Sequence, residues 1–526
     1  MQKTIEGLTS FEQPLPDAPQ NSNFGKNISS IRFTVELLIT VSLAALAYIA
    51  LSAYWIKFSR AEVFFAECAR EMLATNNFIT PLYHAQPFFD KPIFVYWLII
   101  AMFKALGISH LSARIPVIFA SLITIVSTAL AGSYLFGRRA GLLSACMLST
   151  SFMYLSFSCL CMSDMFLVMF DTLSLIAIYA GIISEKNRAL CWWLAALSMG
   201  FAFLTKGPVG IILPALATLI YLGLTKRLAF IKVKHIVWGL ITIAVVASPW
   251  FYVAYLANGP QSMVHFFIQE NLQRFAGSTY DAHRPFWYTI ISFFLGFAPW
   301  SILIPPALFW FYKDLSGSRK RALPAEFSAE LFLWIWVFVS VGFFCFSRGK
   351  CDYYTMPAYT AAAILMARYV SGFQAKYLYA IRAVAVTVLV STILFAALIL
   401  PQINKLLPVG KYVTMIKGAP SNLRVGVDEI AASWIDEILF QSGKDPERLS
   451  DAKKIHEFMS KDGPALVIMP ENKYYLLSIA QKNKYRVVSS DRVTTHPLTP
   501  GYLFERAGNI ADATPLVVAT NFRIGK

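Results

Sequence analysis

Long apolar runs separated by short polar intervals set the pattern of this chain. A helix needs roughly 20 apolar residues to cross a bilayer. About eleven stretches near that length follow one another, at 33–55, 112–136, 142–162, 165–183, 189–205, 208–224, 236–250, 286–312, 331–346, 357–370 and 383–400. They predict a polytopic α-helical membrane protein with about 11–13 transmembrane helices. The run 93–106 is short for a crossing and carries Lys104. If it crossed, the basic runs 137–141 and 225–235 would change sides, so it reads as an interfacial helix on the outer leaflet.

Positive charge gives the orientation. Lys26 and Arg32 precede the first run, which predicts a cytoplasmic tail over 1–32 and a transmembrane domain over 33–400. Arg138, Arg139, Lys186, Arg188, Lys226, Arg227, Lys232, Lys234, Arg319, Arg321, Lys376 and Arg382 then fall in cytoplasmic loops. The outer loops are 57–111, with interfacial helices, and 251–285. After Leu400 the composition becomes that of a soluble α/β domain: short apolar strands at 465–469, 486–490 and 516–519 alternate with helical spacing at 452–460 and 474–482. An odd number of crossings places this domain, 401–526, on the outer face, and no catalytic motif is legible in it.

Composition makes the ionisable residues stand out, since the chain is 57% hydrophobic and 14% charged. The polar interval 60–92 carries Glu62, Glu67, Arg70, Glu71, Asp90 and Lys91 against the membrane. A net charge of +16 raises nucleic acid as a partner, but the Lys and Arg are scattered among loops, as orientation and contact with anionic lipids require; nucleic-acid binding is excluded. The seven cysteines show no metal-binding spacing. Lys91, Lys206, Arg274, Arg348 and Lys350 face outward against the orientation bias, which points to an anionic ligand. Each also has a plain structural reading. Asp90-Lys91-Pro92 suits a helix start, Asp164 a helix cap, and Lys206 a snorkelling span end, while Glu67 and Arg70 suit pairing on a solvated helix face. Tyr353 and Tyr354 suit the aromatic belt, His265 and His283 interfacial hydrogen bonding, and Asp171 lies deep enough in its span to need a partner.

Several separated motifs in order carry a resemblance: FFAECAREMLATNNFITPLYHAQPFFDKPIFVYWL at 64–98, FLTKGPVGIILP at 203–214, SPW at 248–250, FFIQENLQRFAG at 266–277 and FSRGKCDYYTMPAY at 346–359. The chain resembles the lipid A aminoarabinose transferases and related protein mannosyltransferases of the GT-C superfamily. The resemblance implies transfer of a sugar from a polyprenyl-phosphate donor to lipid A, another glycan or a protein at the outer face of the bacterial inner membrane. Asp90, Asp164 and Glu62 would steer the acceptor oxygen, and Lys91, Lys206, Arg274, Arg348, Lys350, Tyr353 and Tyr354 would hold the donor phosphate. The sequence departs from the family pattern at three points. Ala61 stands where the first acid of an Asp-Glu pair is expected, Asp90 replaces a Glu, and Asn271 replaces a His that helps hold a metal. No cofactor is certain; a divalent metal ion with Asp90 among its ligands stays open, as do a transporter or flippase and a catalytically silent scaffold.

Overall fold

The computed structural model describes residues 23–55, 57–277, 284–317, 325–405, 409–493 and 514–522. Asp281, His283, Arg319, Arg321 and most of the tail 1–32 therefore lie outside the described residues. Among the described residues seven helices are long and apolar enough to cross a membrane, within Ser30–Tyr54, His110–Phe136, Asp164–Ile183, Arg188–Lys206, Val233–Asn258, Ser328–Phe346 and Ala375–Asn404. The bent pair Tyr288–Gly296 and Trp300–Leu315, folded by 109°, makes an eighth if counted as one. This is a multi-pass membrane protein.

In chain order the elements that position the site are α1 (Asn23–Tyr54), α2 (Arg60–Ala74), α3 (Phe94–Leu106), α4 (His110–Phe136), α5 (Arg138–Thr150), α6 (Asp164–Ile183), α7 (Arg188–Lys206), α8 (Val209–Leu224) and α9 (Val233–Asn258). Local sequence explains their ends. Ser59 and Glu62 form a capping box at the start of α2, and Ser109 and Ser112 form one at the start of α4. Gly137, at φ 87°, takes a left-handed conformation that closes α4 and opens α5 in one residue. At 13 residues, α3 is about 20 Å long, too short to cross the hydrocarbon. It buries Val95, Tyr96, Ile99, Ile100 and Phe103 and leaves Trp97 and Leu106 exposed.

Several expected crossings take another form. The run 142–162 is broken at Ser151 into α5 and a six-residue helix, Phe152–Phe157, because Ser151 adopts an extended ψ of 136°. The run 357–370 becomes a 3₁₀ turn followed by the buried helix Tyr359–Ser371. Apolar content alone cannot separate a crossing helix from a short one buried inside the bundle.

Beyond the bundle, a five-stranded sheet has the order β4-β3-β5-β7-β6, with β3 Arg424–Asp428, β4 Glu447–Leu449, β5 Ala465–Pro470, β6 Arg486–Val493 and β7 Thr514–Thr520. β3 runs parallel to β4 and β5, and β7 is antiparallel to β5 and β6. Every residue of β5 is buried, as a strand covered on both faces must be. One face packs on Tyr412, Trp434 and Ile438, the other on Phe458, Met459 and Tyr485. The sheet is tied to the first loop through the helix Ile435–Ser442. Glu437 accepts from the Phe58 amide at 3.0 Å and meets His110 Nε2 at 2.5 Å, and Tyr83 Oη donates to Asp436 at 2.7 Å. Phe440 packs against Phe58, with ring centroids 4.8 Å apart.

Candidate active site

The end of the bundle bearing α2, the start of α6, the end of α7 and the chain after α9 collects the ionisable residues singled out above. The hairpin Leu82–Tyr83 with Gln86–Pro87 carries the chain to Asp90 and Lys91, just before α3. Opposite stands a π-helical turn, His265–Gln273. Its wider i→i+5 bonding puts residues five apart on one face, so His265 and Glu270 both face Asp90. His265 Nε2 lies 3.0 Å from Asp90 Oδ1 and its Nδ1 2.6 Å from Gln269 Oε1. Glu270 accepts from Arg274 at 3.0 Å and Lys91 at 3.4 Å. Asp90, His265, Glu270 and Arg274 line a cavity of about 940 Å³, walled also by Phe64, Phe88 and Asn258.

Burial, together with the nearby Arg274 and Lys206 charges, pushes the Lys91 ammonium below its ordinary range despite Glu270 and Asp90. Lys206, at the end of α7, is bonded to Asp164 at the start of α6. Its ammonium sits over the rings of Tyr353 and Tyr354, 5.5 and 5.0 Å from their centroids. Arg274 on the wall, with Lys91 and Lys206 close by, thus places cations with partial counter-charge at the hollow, an arrangement that favours an arriving anion.

The remaining candidates sit differently. Glu62, expected in the site as an acid, is fully buried with Arg114: their contact is 2.8 Å, and Glu62 also accepts from the Cys161 amide at 3.0 Å. Arg114 spends its other N–H groups on the Ser52, Trp55 and Lys57 carbonyls. Glu62 is therefore a joint between helices, with no oxygen turned to the cavity, and Glu67 is likewise buried against Arg70 rather than solvated. Lys350 is buried with its ammonium on the Ser347 carbonyl, so it shapes its own loop. Arg348 is exposed, and its amide donates to the Phe275 carbonyl at 2.9 Å, which joins the loop to the segment carrying Arg274. Asn271 donates to the Phe266 carbonyl at 2.7 Å and packs toward Gly207, away from Asp90. His265 and Glu270 were not named as site residues from sequence; their five-residue spacing has meaning only on a π turn.

The comparisons bear on this arrangement. A family model described as dolichyl-phosphate-mannose-protein mannosyltransferase matches residues 90–253. The chain is 29% identical over 361 residues to an undecaprenyl phosphate-alpha-4-amino-4-deoxy-L-arabinose arabinosyl transferase of Pectobacterium atrosepticum, covering 66% of this chain and 60% of that one. It is also 29% identical over 360 residues to an uncharacterized protein of Aquifex aeolicus, covering 66% and 68%. Thus it spans about 60% of the length of the arabinosyl transferases it matches. Among solved structures, ArnT from Cupriavidus metallidurans bound to undecaprenyl phosphate superposes with a TM-score of 0.69 at 19% identity, covering 95% of this chain and 99% of that one. Its apo state gives 0.71 at 17% identity, covering 95% and 98%. The chain shares the fold of these ArnT structures.

Asp90, His265 and Glu270 offer ligand atoms within 4.8 Å of one another, a donor set of two carboxylates and an imidazole that fits a divalent cation. Glu270 already meets Lys91 and Arg274, so Asp90 and His265 are the stronger ligands of the three.

Proposed function

We propose that this chain is a glycosyltransferase that moves a sugar from a polyprenyl-phosphate donor onto a phosphate monoester acceptor, such as those of lipid A, at the outer face of a bacterial inner membrane. The bond between the anomeric carbon and the phosphate oxygen breaks, the acceptor oxygen bonds to that carbon, and the polyprenyl phosphate leaves with the charge. Lys91, Arg274 and Lys206 are assigned to that developing charge, with Tyr353 and Tyr354 holding Lys206 in place. A divalent cation on Asp90 and His265 would supply further charge stabilisation at the phosphate.

The observation that carries the reading is the pairing of every carboxylate at the site: Asp90 with His265, Glu270 with Lys91 and Arg274, Asp164 with Lys206. Both ring nitrogens of His265 are engaged as well. Among the described residues of the cavity, an unoccupied general base is therefore missing. An acceptor that is itself ionised, such as a phosphate monoester, needs none. A protein hydroxyl or sugar hydroxyl would.

The test is transfer from radiolabelled polyprenyl-phosphate sugar to lipid A in proteoliposomes. The Asp90→Ala, Asp164→Ala double variant should lose about a hundredfold or more in rate. Wild-type turnover by that variant would exclude the reading, and sugar crossing the bilayer without transfer would make the protein a transporter.

A further inference from the structure

At the end of the bundle away from the Asp90 cavity lies a second hollow, of about 320 Å³. Its lining carries Arg32 from α1, Arg138 and Arg139 from the Gly137 corner, and Arg382 from the helix Ala375–Leu394, against one described carboxylate, Glu36. Glu36 is held by Arg32 at 2.8 Å and by Arg382 at 3.1 Å, and Tyr379 brings a hydroxyl to the same rim. Topogenic charge alone explains basic residues in a loop. It does not explain guanidinium groups from three separate parts of the chain converging on one cavity, where their mutual repulsion is a standing cost that an anion would remove.

The surroundings narrow the anion to a lipid. The hollow shares Arg32 and Glu36 with a neighbouring groove of about 450 Å³ whose apolar wall is Ile31 and Val35, exposed by 64% and 48%. The exposed apolar stripe continues along α1 through Leu38 and Ile39, at the three- and four-residue spacing of one helix face. On a membrane-spanning helix such a stripe lies against acyl chains, and a free phosphate would use the arginines alone. A phospholipid uses both, its phosphate diester among the guanidiniums and an acyl chain along the stripe.

We propose that this hollow is a binding site for an anionic phospholipid, distinct from the place where the sugar donor would bind. Basic pockets between membrane helices commonly take such headgroups. The lipid phosphate would add a further tie among α1, the Gly137 corner and the helix Ala375–Leu394, beside the Arg382–Glu36 pair.

The experiment uses the full chain in detergent micelles, titrated with phosphatidylglycerol or phosphatidylcholine and read by native mass spectrometry. Phosphatidylglycerol should bind, at least about tenfold more weakly to Arg139→Gln/Arg382→Gln and by an intermediate amount to Arg139→Gln alone, whose side chain is exposed. The control Lys226→Gln/Lys232→Gln removes the same charge from a nearby loop and should bind as wild type, and millimolar inorganic phosphate should leave the lipid in place. Equal uptake of phosphatidylcholine, equal loss in the control, or displacement by inorganic phosphate would each overturn the assignment. Melting curves taken alongside identify a variant that has unfolded, in which case Arg139→Gln alone decides.

Discussion

The buried pair Glu62 and Arg114 shows how a residue's chemistry is decided by what surrounds it. An acid in a polar interval at a membrane surface reads as a catalytic candidate, yet this one is fully enclosed and makes the cap of α2, a link to α4 and a bond to the Cys161 amide. Removing one partner leaves the other charged and buried, so Glu62→Ala should destabilise by about 3–5 kcal/mol, measurable by denaturant-induced unfolding in micelles. Lys91 behaves in the opposite sense. Its ammonium is held below the ordinary lysine value of 10.5 by burial and by Arg274 and Lys206, so it loses its proton as pH rises sooner than a free lysine would. Donor affinity in the wild type should therefore fall on the alkaline side before that value, whereas in Lys91→Arg, which keeps its charge, it should stay flat over the same range. Binding of polyprenyl phosphate followed across pH in both proteins checks this.

At the scale of elements, what was legible depended on whether the local period was the usual one. The amphipathic α2 and the short α3 are readable because α-helical spacing and length hold there. The pairing of His265 with Glu270 is not, because an α-helical period sends residues five apart to different faces, and the π turn reverses that. The docking of the C-terminal sheet on the first loop is also invisible in sequence: Asp436, Glu437 and Asp445 look like ordinary solvated acids until His84, His110 and Tyr83 are found against them. His84 lies 3.8 Å from Asp436 and 3.0 Å from Asp445, and these carboxylates, Asp436 first, raise its pKa up to about 10. Since the folded value exceeds the ordinary 6.5, this clasp contributes fully below about pH 6.5 and is lost as pH climbs through about 10. After allowance for solvent screening it is worth on the order of 1 kcal/mol. Limited proteolysis of the sheet region should accelerate in wild type between pH 6 and 10, and His84→Gln should already be cut at the faster rate at pH 6.

For the whole molecule, hydropathy gave the class and the gross order of helices, because crossing a bilayer leaves a signal that no other constraint imitates at that length. It drew as unbroken spans some pieces that the structure divides. α5 and the helix Tyr359–Ser371 have 13 residues each, are buried by neighbouring protein, and are extended by the helix Phe152–Phe157 and by the 3₁₀ turn Asp352–Ala358. In the C-terminal region β5, β6 and β7 were readable as apolar strands, while β3 and β4, short and flanked by charge, were not. Asp90 and Asp164 share an end of the bundle because α4 carries the chain away to the Gly137 corner and α5 with the helix Phe152–Phe157 brings it back.

The helix Ile435–Ser442 fixes the order in which this protein matures. A ribosome releases α2 and its hairpin several hundred residues before it makes Glu437, which holds the Phe58 amide and His110. The membrane part is thus threaded early, and the first loop gains this clasp only after the helix Ile435–Ser442 has been made.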